Sequence, residues 1–291
     1  MKLTSPSQVR ALLEQLQVQP STAHGQNFLI DANIRDLIVA TAAVDPQDNV
    51  LEIGAGLGVL TEALLTRAGK VVAVEKDRRL HAYLAEYFAE APSLNLIQAD
   101  FLELDVPGLL ACGITKVVAN LPYSSGSRML VELAMAPVPP PEIVVTVQFE
   151  VGERLAADAG DRQRGLLSVL VQYRYDVRIR KIVSPTCFYP RPDVRSAIVQ
   201  MTRHSGSADA SEREMYRALT QEAFRHRRKQ LATILVRAGG RVHLPADQAA
   251  GVFAGLHIDP RIRPEELSVE AWRQLAGRLS AFAAGNSGEP R

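Results

Sequence analysis

The stretch VLEIGAGLG, Val50 to Gly58, decides the fold. An apolar run typical of a buried strand passes into a loop with glycine at alternate positions, and a helical pattern follows. Because Gly54 and Gly56 lack side chains, backbone there can approach a ligand closely. Glu75 ends the next apolar run, where a carboxylate can accept hydrogen bonds from both hydroxyls of a ribose. These residues predict a nucleoside-binding site at the edge of a parallel sheet.

The chain around this loop alternates short apolar runs with helical patterns, which predicts a parallel sheet covered on both faces. The predicted strands are Val50–Ile53, Val71–Val74, Leu94–Ile97, Val117–Ala119 and Ile143–Val147. Two more are expected at Gln172–Lys181, where apolar residues and arginines alternate, and at Ala197–Met201.

The polar segment at residues 204–211 is predicted to be a linker. Only helical patterns follow it, and residues 212–238 are predicted to form one helix. The expected domains are therefore residues 1–204, with an N-terminal arm over about residues 1–45, and a small all-helical domain at residues 205–291. The fold class is α/β with a helical appendage.

Composition excludes several classes of protein. Of 291 residues, 47% are hydrophobic and 22% charged, which is typical of a globular chain rather than a disordered one. No window approaches about 18 uninterrupted apolar residues, so no membrane span is expected. The start of the chain lacks the apolar core of a secretory signal, which favours the cytoplasm. Cys112 and Cys187 form neither a disulfide framework nor a metal-ligand spacing.

The net charge of +1 conceals an uneven distribution. Residues 1–150 hold 10 Lys and Arg against 17 Asp and Glu, whereas residues 151–230 hold 16 against 9. This asymmetry suggests a basic face carried by one part of the molecule, although scattered surface arginines would give the same count. The candidate phosphate contacts are Arg174, Arg178, Arg180, Arg225 and Lys229. Helical phase places Arg227 within the apolar arc of the predicted helix, which predicts a structural role for it.

Two polar sites follow the third and fourth predicted strands. Asp100 can accept a hydrogen bond from an adenine amino group, or it can simply cap the next helix. In the sequence Asn120-Leu121-Pro122-Tyr123, the Asn120 amide oxygen and the Leu121 carbonyl can each accept an N–H of a purine amine. That arrangement localises the nitrogen lone pair for attack. Pro122 stiffens the turn, and Tyr123 offers a face for a base taken out of its stack.

These motifs, with Gly25-Gln26-Asn27-Phe28-Leu29 and the stretch Phe188–Ala197, make the chain resemble the KsgA/RsmA family of small-subunit rRNA adenine N6,N6-dimethyltransferases. The resemblance covers nearly the whole chain. It implies a class I methyltransferase fold with a mainly parallel seven-stranded sheet and a C-terminal helical domain. It also implies S-adenosylmethionine as the methyl donor and two adjacent adenines near the 3′ end of 16S rRNA as acceptors.

The resemblance assigns roles to individual residues. Cofactor binding would fall to Asn27, Leu29, Gly54, Gly56, Glu75, Asp100 and Asn120. Phe188 would pack against the flipped base, although an apolar residue in a Pro-rich loop is more often core. The expected enzyme is a monomer without a metal that acts on the small ribosomal subunit or its precursor during ribosome biogenesis.

Three alternatives remain open. A 23S rRNA methylase of the macrolide-resistance type shares every catalytic motif. A ribosome-assembly or transcription factor of the same fold would act by binding alone. A nicotinamide-dependent dehydrogenase is disfavoured by Val59, which stands where the dinucleotide fingerprint wants a small residue, and by Asn120–Tyr123.

Overall fold

A computed structural model describes residues 5–20, 25–205 and 209–286. The predicted linker at residues 204–211 lies partly outside these ranges. Within them the strands are β1 (Phe28–Leu29), β2 (Asn49–Ile53), β3 (Lys70–Glu75), β4 (Leu94–Gln98), β5 (Lys116–Asn120), β6 (Glu142–Gln148), β7 (Tyr175–Val183), β8 (Phe188–Tyr189) and β9 (Ser196–Arg203). The first six helices are α1 (Pro6–Gln15), α2 (Ala32–Thr41), α3 (Val59–Leu65), α4 (Arg78–Tyr87), α5 (Val106–Ala111) and α6 (Gly126–Ala134). The others are α7 (Phe149–Ala156), α8 (Leu166–Gln172), α9 (Ala210–Arg225), α10 (Leu231–Arg237), α11 (Ala246–Gly255) and α12 (Val269–Asn286).

Seven strands form the central sheet in the order β4-β3-β2-β5-β6-β9-β7. Strands β2 to β6 are parallel, β9 runs antiparallel to β6, and β7 runs antiparallel to β9. This confirms the predicted α/β class and mainly parallel sheet. The order of the strands along the chain reverses between β2 and β5, and open α/β sheets bind ligands at such a switch point.

Local sequence explains how the helices begin. The side chain of Asp31 accepts a hydrogen bond from the Ile34 N–H at the start of α2, and Asp77 accepts from the Arg79 and Leu80 N–H groups at the start of α4. Such caps satisfy backbone donors that a helix leaves unpaired. The parallel strands are rich in Val, Ile and Leu because helices cover both faces of the sheet.

A separate two-stranded sheet joins the N-terminal region to the Pro-rich loop. Strand β1 pairs antiparallel with β8, with Phe28 opposite Tyr189 and Leu29 opposite Phe188. Next to it, helix α1 buries Val9, Leu12 and Leu13 in an apolar cluster. That cluster also contains Val18, Phe28, Ile30, Leu57 and Leu80. Leu57 belongs to the glycine loop, so the N-terminal helix supports the loop from one side.

The strand predicted over Gln172–Lys181 begins later than expected. Leu166–Gln172 forms α8, and β7 starts at Tyr175. The predicted alternation of exposed and less exposed side chains is confirmed within β7, where Asp176, Arg178 and Arg180 are exposed. Residues 168–171 are buried one after another, which suits a helix packed on several sides better than a strand with one polar face.

The chain forms two compact units, and the boundary differs from the predicted one. The first comprises residues 1–153 and 175–203, and the second residues 154–174 and 204–291. Within the second unit the buried guanidinium of Arg164 donates to the carbonyls of Ala157 and Leu267 and to the Gln172 side chain. The Tyr216 hydroxyl also donates to the Val169 carbonyl, 2.9 Å away. These contacts place residues 154–174 with the C-terminal helices.

The prediction of a single helix over residues 212–238 is wrong. Helix α9 ends at Arg225 and α10 begins at Leu231, with a turn between them closed by the Lys229 N–H on the His226 carbonyl. The helical phase that placed Arg227 in the apolar arc therefore stops before this residue. Arg227 is exposed, with its guanidinium 3.9 Å from the Glu265 carboxylate.

No helix among the described residues is long and apolar enough to cross a membrane.

Candidate active site

A cavity of about 720 Å³ opens at the carboxyl ends of β2, β3 and β5, within the first unit. This volume is within the usual range for sites that hold small molecules and cofactors. The predicted residues that line it are Asn27, Gly54, Gly56, Glu75, Asp100, Asn120, Leu121 and Pro122. Residues far apart in the sequence are thus brought together around one cavity.

The glycine loop adopts the backbone conformation for which its sequence is suited. Gly54, Gly56 and Gly58 have φ angles of +77°, +59° and +80°, in the left-handed region that favours glycine. A Cβ on Gly56 would also lie 3.2 Å from the Phe28 ring. Only glycine therefore allows the loop to turn here beneath the N-terminal segment.

Glu75 connects this loop to the end of β3. Its carboxylate accepts hydrogen bonds from the Gly56 N–H at 2.8 Å and from the Asp77 N–H at 2.9 Å. The residue is 5% exposed, and burial raises the pKa of its carboxyl despite these bonds. Each oxygen retains capacity for a further donor. Glu75 is thus placed to accept hydrogen bonds from ligand hydroxyls in the cavity.

A second buried carboxyl, which is not among the predicted site residues, lies behind the loop. Glu52 on β2 is 1% exposed and accepts a hydrogen bond from the Thr61 hydroxyl at 2.6 Å. Burial raises its pKa to about 8, and the nearby Glu75 adds to the shift. Glu52 is therefore a neutral acid at pH 7. Its position within VLEIGAGLG, at an interior strand site, is the signal that could have identified it.

Asp100 caps a short turn at the edge of the cavity. It lines the cavity, and its Oδ1 caps the short turn Phe101–Glu103 by accepting from the Leu102 N–H at 3.0 Å. Its Oδ2 accepts from Lys76 Nζ at 2.7 Å. That bond holds the pKa of the Asp100 carboxyl below its usual value. Lys76 was not predicted, since a lysine just after a strand has no distinctive pattern.

Asn120 carries the most informative atom of the site. Its Nδ2 donates to the Asn27 carbonyl at 2.7 Å, which fixes the orientation of the amide, because a carbonyl can only accept. The other atom, Oδ1, is buried and has no hydrogen-bond partner among the described residues. Because Asn120 lines the cavity, this acceptor is available to a donor on a bound ligand.

The rest of the Asn120–Tyr123 motif is held in place from both sides. The Leu121 N–H donates to the Thr146 carbonyl at 3.1 Å, and the Tyr123 N–H donates to the Gly25 carbonyl at 3.4 Å. The Tyr123 hydroxyl lies 2.5 Å from Ser196 Oγ. Tyr123 is half-buried and adjoins the cavity, lying between the lining residues Pro122 and Ser124.

The structure places two predicted residues in the core instead of on the cavity wall. Phe188 is 2% exposed and belongs to the same apolar cluster as Leu29 and Ile198. Because β1 pairs with β8, the Leu29 and Phe188 side chains are buried together. The expected open stacking face on Phe188 is therefore absent here, and the core interpretation of this residue describes the structure.

The predicted RNA contacts divide into two groups. Arg178 and Arg180 are exposed on β7, and Arg225 and Lys229 are exposed at the end of α9 and in the turn after it. Arg225 also pairs with Glu222 at 2.9 Å. Arg174, in contrast, is 7% exposed and precedes β7, so its predicted role as a surface phosphate contact is wrong.

Comparisons with known proteins agree with this geometry. The family model for ribosomal RNA adenine dimethylase matches residues 18–266. The ribosomal RNA small subunit methyltransferase A of Moorella thermoacetica is 37% identical over 287 residues, which cover 95% of this chain and 98% of that protein.

Solved structures show the same fold. A dimethyladenosine transferase from Plasmodium falciparum has a TM-score of 0.75 at 23% identity and covers 88% of this chain and 98% of its own. The 23S rRNA methyltransferase ErmE has a TM-score of 0.65 at 25% identity and covers 87% of this chain and 99% of its own.

The sheet order, the glycine loop with Glu75 and the Asn120–Tyr123 motif together define a Rossmann-like methyltransferase. More particularly, the chain belongs to the ribosomal RNA adenine dimethylase family.

Proposed function

We propose that this protein transfers methyl groups from S-adenosylmethionine to N6 of two adjacent adenines near the 3′ end of 16S rRNA in the small ribosomal subunit. The observation that carries the proposal is the buried Oδ1 of Asn120 beside the cavity, which has no partner in the part of the chain that the structure describes. An exocyclic adenine amine supplies the N–H donor that this oxygen lacks. The name of the Moorella thermoacetica relative supports the small subunit as the substrate.

The cavity fits the proposed cofactor. Gly54 and Gly56 leave backbone open to a ligand, Glu75 offers a buried carboxylate for ribose hydroxyls, and Asp100 offers an acceptor for an adenine amine. Asn27 lies against the same space, and its carbonyl orients Asn120. Bound S-adenosylmethionine would supply a methyl group activated by a positively charged sulfur.

The chemistry required of the protein is orientation. Asn120 Oδ1 and the Leu121 carbonyl each accept one N–H of the target amine, which draws the nitrogen towards tetrahedral geometry and localises its lone pair. The N6 proton leaves after methyl transfer, when the nitrogen is strongly acidic. Positioning two reactants in this way supplies a large part of a rate enhancement without a covalent enzyme intermediate.

RNA would be held by exposed cations and one aromatic ring. Arg178, Arg180, Arg225 and Lys229 are exposed, which supports a role in contacting phosphates. Such contacts give affinity without sequence specificity. The Tyr123 ring, fixed at its hydroxyl by Ser196, supports the flipped base.

Labelled S-adenosylmethionine tests the proposal. Each purified, unmodified ribosomal subunit is incubated with the protein, and the modified base is mapped. Dimethylation of two adjacent adenines in the small subunit is expected. Label in the large subunit would instead support a methylase of the macrolide-resistance type, and binding without label would support an assembly factor.

A further inference from the structure

Arg195 and Phe149 form a stacked pair near the proposed acceptor site. The Arg195 guanidinium lies 4.7 Å from the centre of the Phe149 ring, a cation–π arrangement. Arg195 is exposed and Phe149 half-buried, so the guanidinium covers the ring and presents its other face to solvent. No role proposed above uses either residue.

The pair is held firmly. The Phe149 N–H donates to the Arg195 carbonyl at 2.9 Å, directly beyond the pairing of Gln148 with Ser196 at the end of the β6–β9 ladder. Gly152, one turn along α7, allows close packing, because a Cβ there would lie 3.1 Å from the Ala197 Cβ. Phe149 is the first residue of α7 and Arg195 directly precedes β9, so the backbone of both residues is fixed.

Two connections link this pair to the residues proposed to hold the target adenine. Arg195 precedes Ser196, whose Oγ lies 2.5 Å from the Tyr123 hydroxyl. Phe149 follows β6 at the same sheet edge as Asn120, which pairs with Thr146 on that strand. A nucleotide next to a base held by Asn120 and Tyr123 would thus meet the Arg195 face.

We propose that Arg195, supported by Phe149, is a stacking platform for the RNA base adjacent to the methylated adenine. This inference rests on the proposed function and names a subsite of that same site. A guanidinium is planar and weakly hydrated, so it stacks on a base while its N–H groups still reach phosphate oxygens. A lysine ammonium carries the same charge but has no flat face.

Kinetics on unmodified small subunits test the platform with Arg195→Ala, Arg195→Lys and the control Arg191→Ala. Arg191 is another exposed arginine of the same loop. We expect Arg195→Ala to raise the KM for the subunit about tenfold with little change in kcat. Arg195→Lys should remain close to Arg195→Ala, and Arg191→Ala close to wild type. Full recovery by lysine, or an unchanged KM in Arg195→Ala, would overturn the proposal.

A second readout separates this inference from the proposed function. A short single-stranded RNA carries fluorescent 2-aminopurine next to an adenine, and stacking quenches its emission. Wild-type protein should quench it, whereas Arg195→Ala and Phe149→Leu should not, with unchanged melting temperatures. If the wild-type protein methylates the subunit but all variants quench the fluorescence equally, the stacking proposal is wrong and the proposed function stands. If the wild-type protein methylates neither subunit, the proposed function is wrong. The difference in quenching between wild type and variants then still tests whether Arg195 stacks on a base.

Discussion

The amide nitrogen of Asn120 donates to the backbone carbonyl of Asn27, 2.7 Å away, across 93 residues of chain. This bond orients Oδ1, the atom proposed to accept from the target amine. It also makes the segment from Gly25 part of the site. Gly25 has a φ of +65°, and a Cβ there would lie 2.8 Å from the Tyr123 nitrogen. The segment around Gly25 therefore packs directly against the Asn120–Tyr123 motif.

Asn120→Ala should lower kcat by about a hundredfold or more, because the lost acceptor acts on the amine mainly in the transition state. Asn120→Asp retains acceptors but loses the donor to the Asn27 carbonyl, so it should also be impaired. Single-turnover methylation measures the rate, and calorimetry measures cofactor affinity. Near wild-type turnover in Asn120→Ala would refute the assigned role.

Asp100→Ala should weaken cofactor binding, with less effect on the rate of the bound state. Asp100→Ser separates the two roles of this residue, since serine can still cap the Leu102 N–H but offers no carboxylate. Because Lys76 lowers the pKa of Asp100, the carboxylate stays ionised from pH 5 to 9, and its contribution should be constant there. Titration calorimetry is the measurement. Wild-type affinity in Asp100→Ser would mean that Asp100 only caps the turn.

Glu52 should make stability fall as pH rises. Its folded-state pKa of about 8 lies above the ordinary pKa of 4.5 for a glutamic acid, so the native state holds a proton that the unfolded chain releases between these values. Wild-type stability should therefore decrease by on the order of a few kcal/mol from about pH 5 to pH 8. Glu52→Gln, which can still accept from Thr61, should flatten this dependence in urea unfolding. An unchanged pH profile would contradict a buried neutral acid.

Arg164→Met should destabilise the second unit on the order of 2 kcal/mol. Methionine fills much of the volume but cannot donate to the Ala157 and Leu267 carbonyls or to Gln172. The exposed neighbour Arg162 is the matched control, and Arg162→Met should change stability little. Denaturant midpoints compare the two variants. Equal midpoints would show that the hydrogen bonds of Arg164 make no net contribution to the free energy of unfolding.

Salt dependence of RNA binding should distinguish exposed from buried arginines. Arg178→Ala should reduce the slope of log affinity against log salt by about 0.7–0.9, as expected for one lost phosphate contact. Arg174→Ala should leave the slope unchanged, since Arg174 is buried. Filter binding over a salt series gives both slopes. A reduced slope for Arg174→Ala would restore the original interpretation of this residue.

Local patterns were sufficient for the sheet and the glycine loop. Apolar runs, glycine spacing and the acidic residue at a strand end are short-range signals, so β2 to β6, Glu75 and Asn120 could be predicted and found at one edge. The helix break after Arg225 has no glycine or proline to mark it, and extending the helical phase across it misplaced Arg227.

Features that depend on distant pairing could not be predicted. Phe188 is buried because β8 pairs with β1, and a phenylalanine in a Pro-rich loop looks the same in either role. The orientation of Asn120 likewise depends on Asn27, and Arg174 lies buried in the turn between α8 and β7, where a strand was predicted. Each wrong prediction depends on a contact between residues far apart in the sequence, or on a helix whose packing partners come later in the chain.

The placement of residues 154–174 in the second unit constrains how the protein is made and taken apart. During synthesis, α8 emerges before β7 and β9, and its partner α9 comes later still. The helix must therefore remain without that partner until translation has passed residue 225. For the same reason no single proteolytic cut separates the two units intact. Grafting the second unit from a relative requires both of its segments to move together.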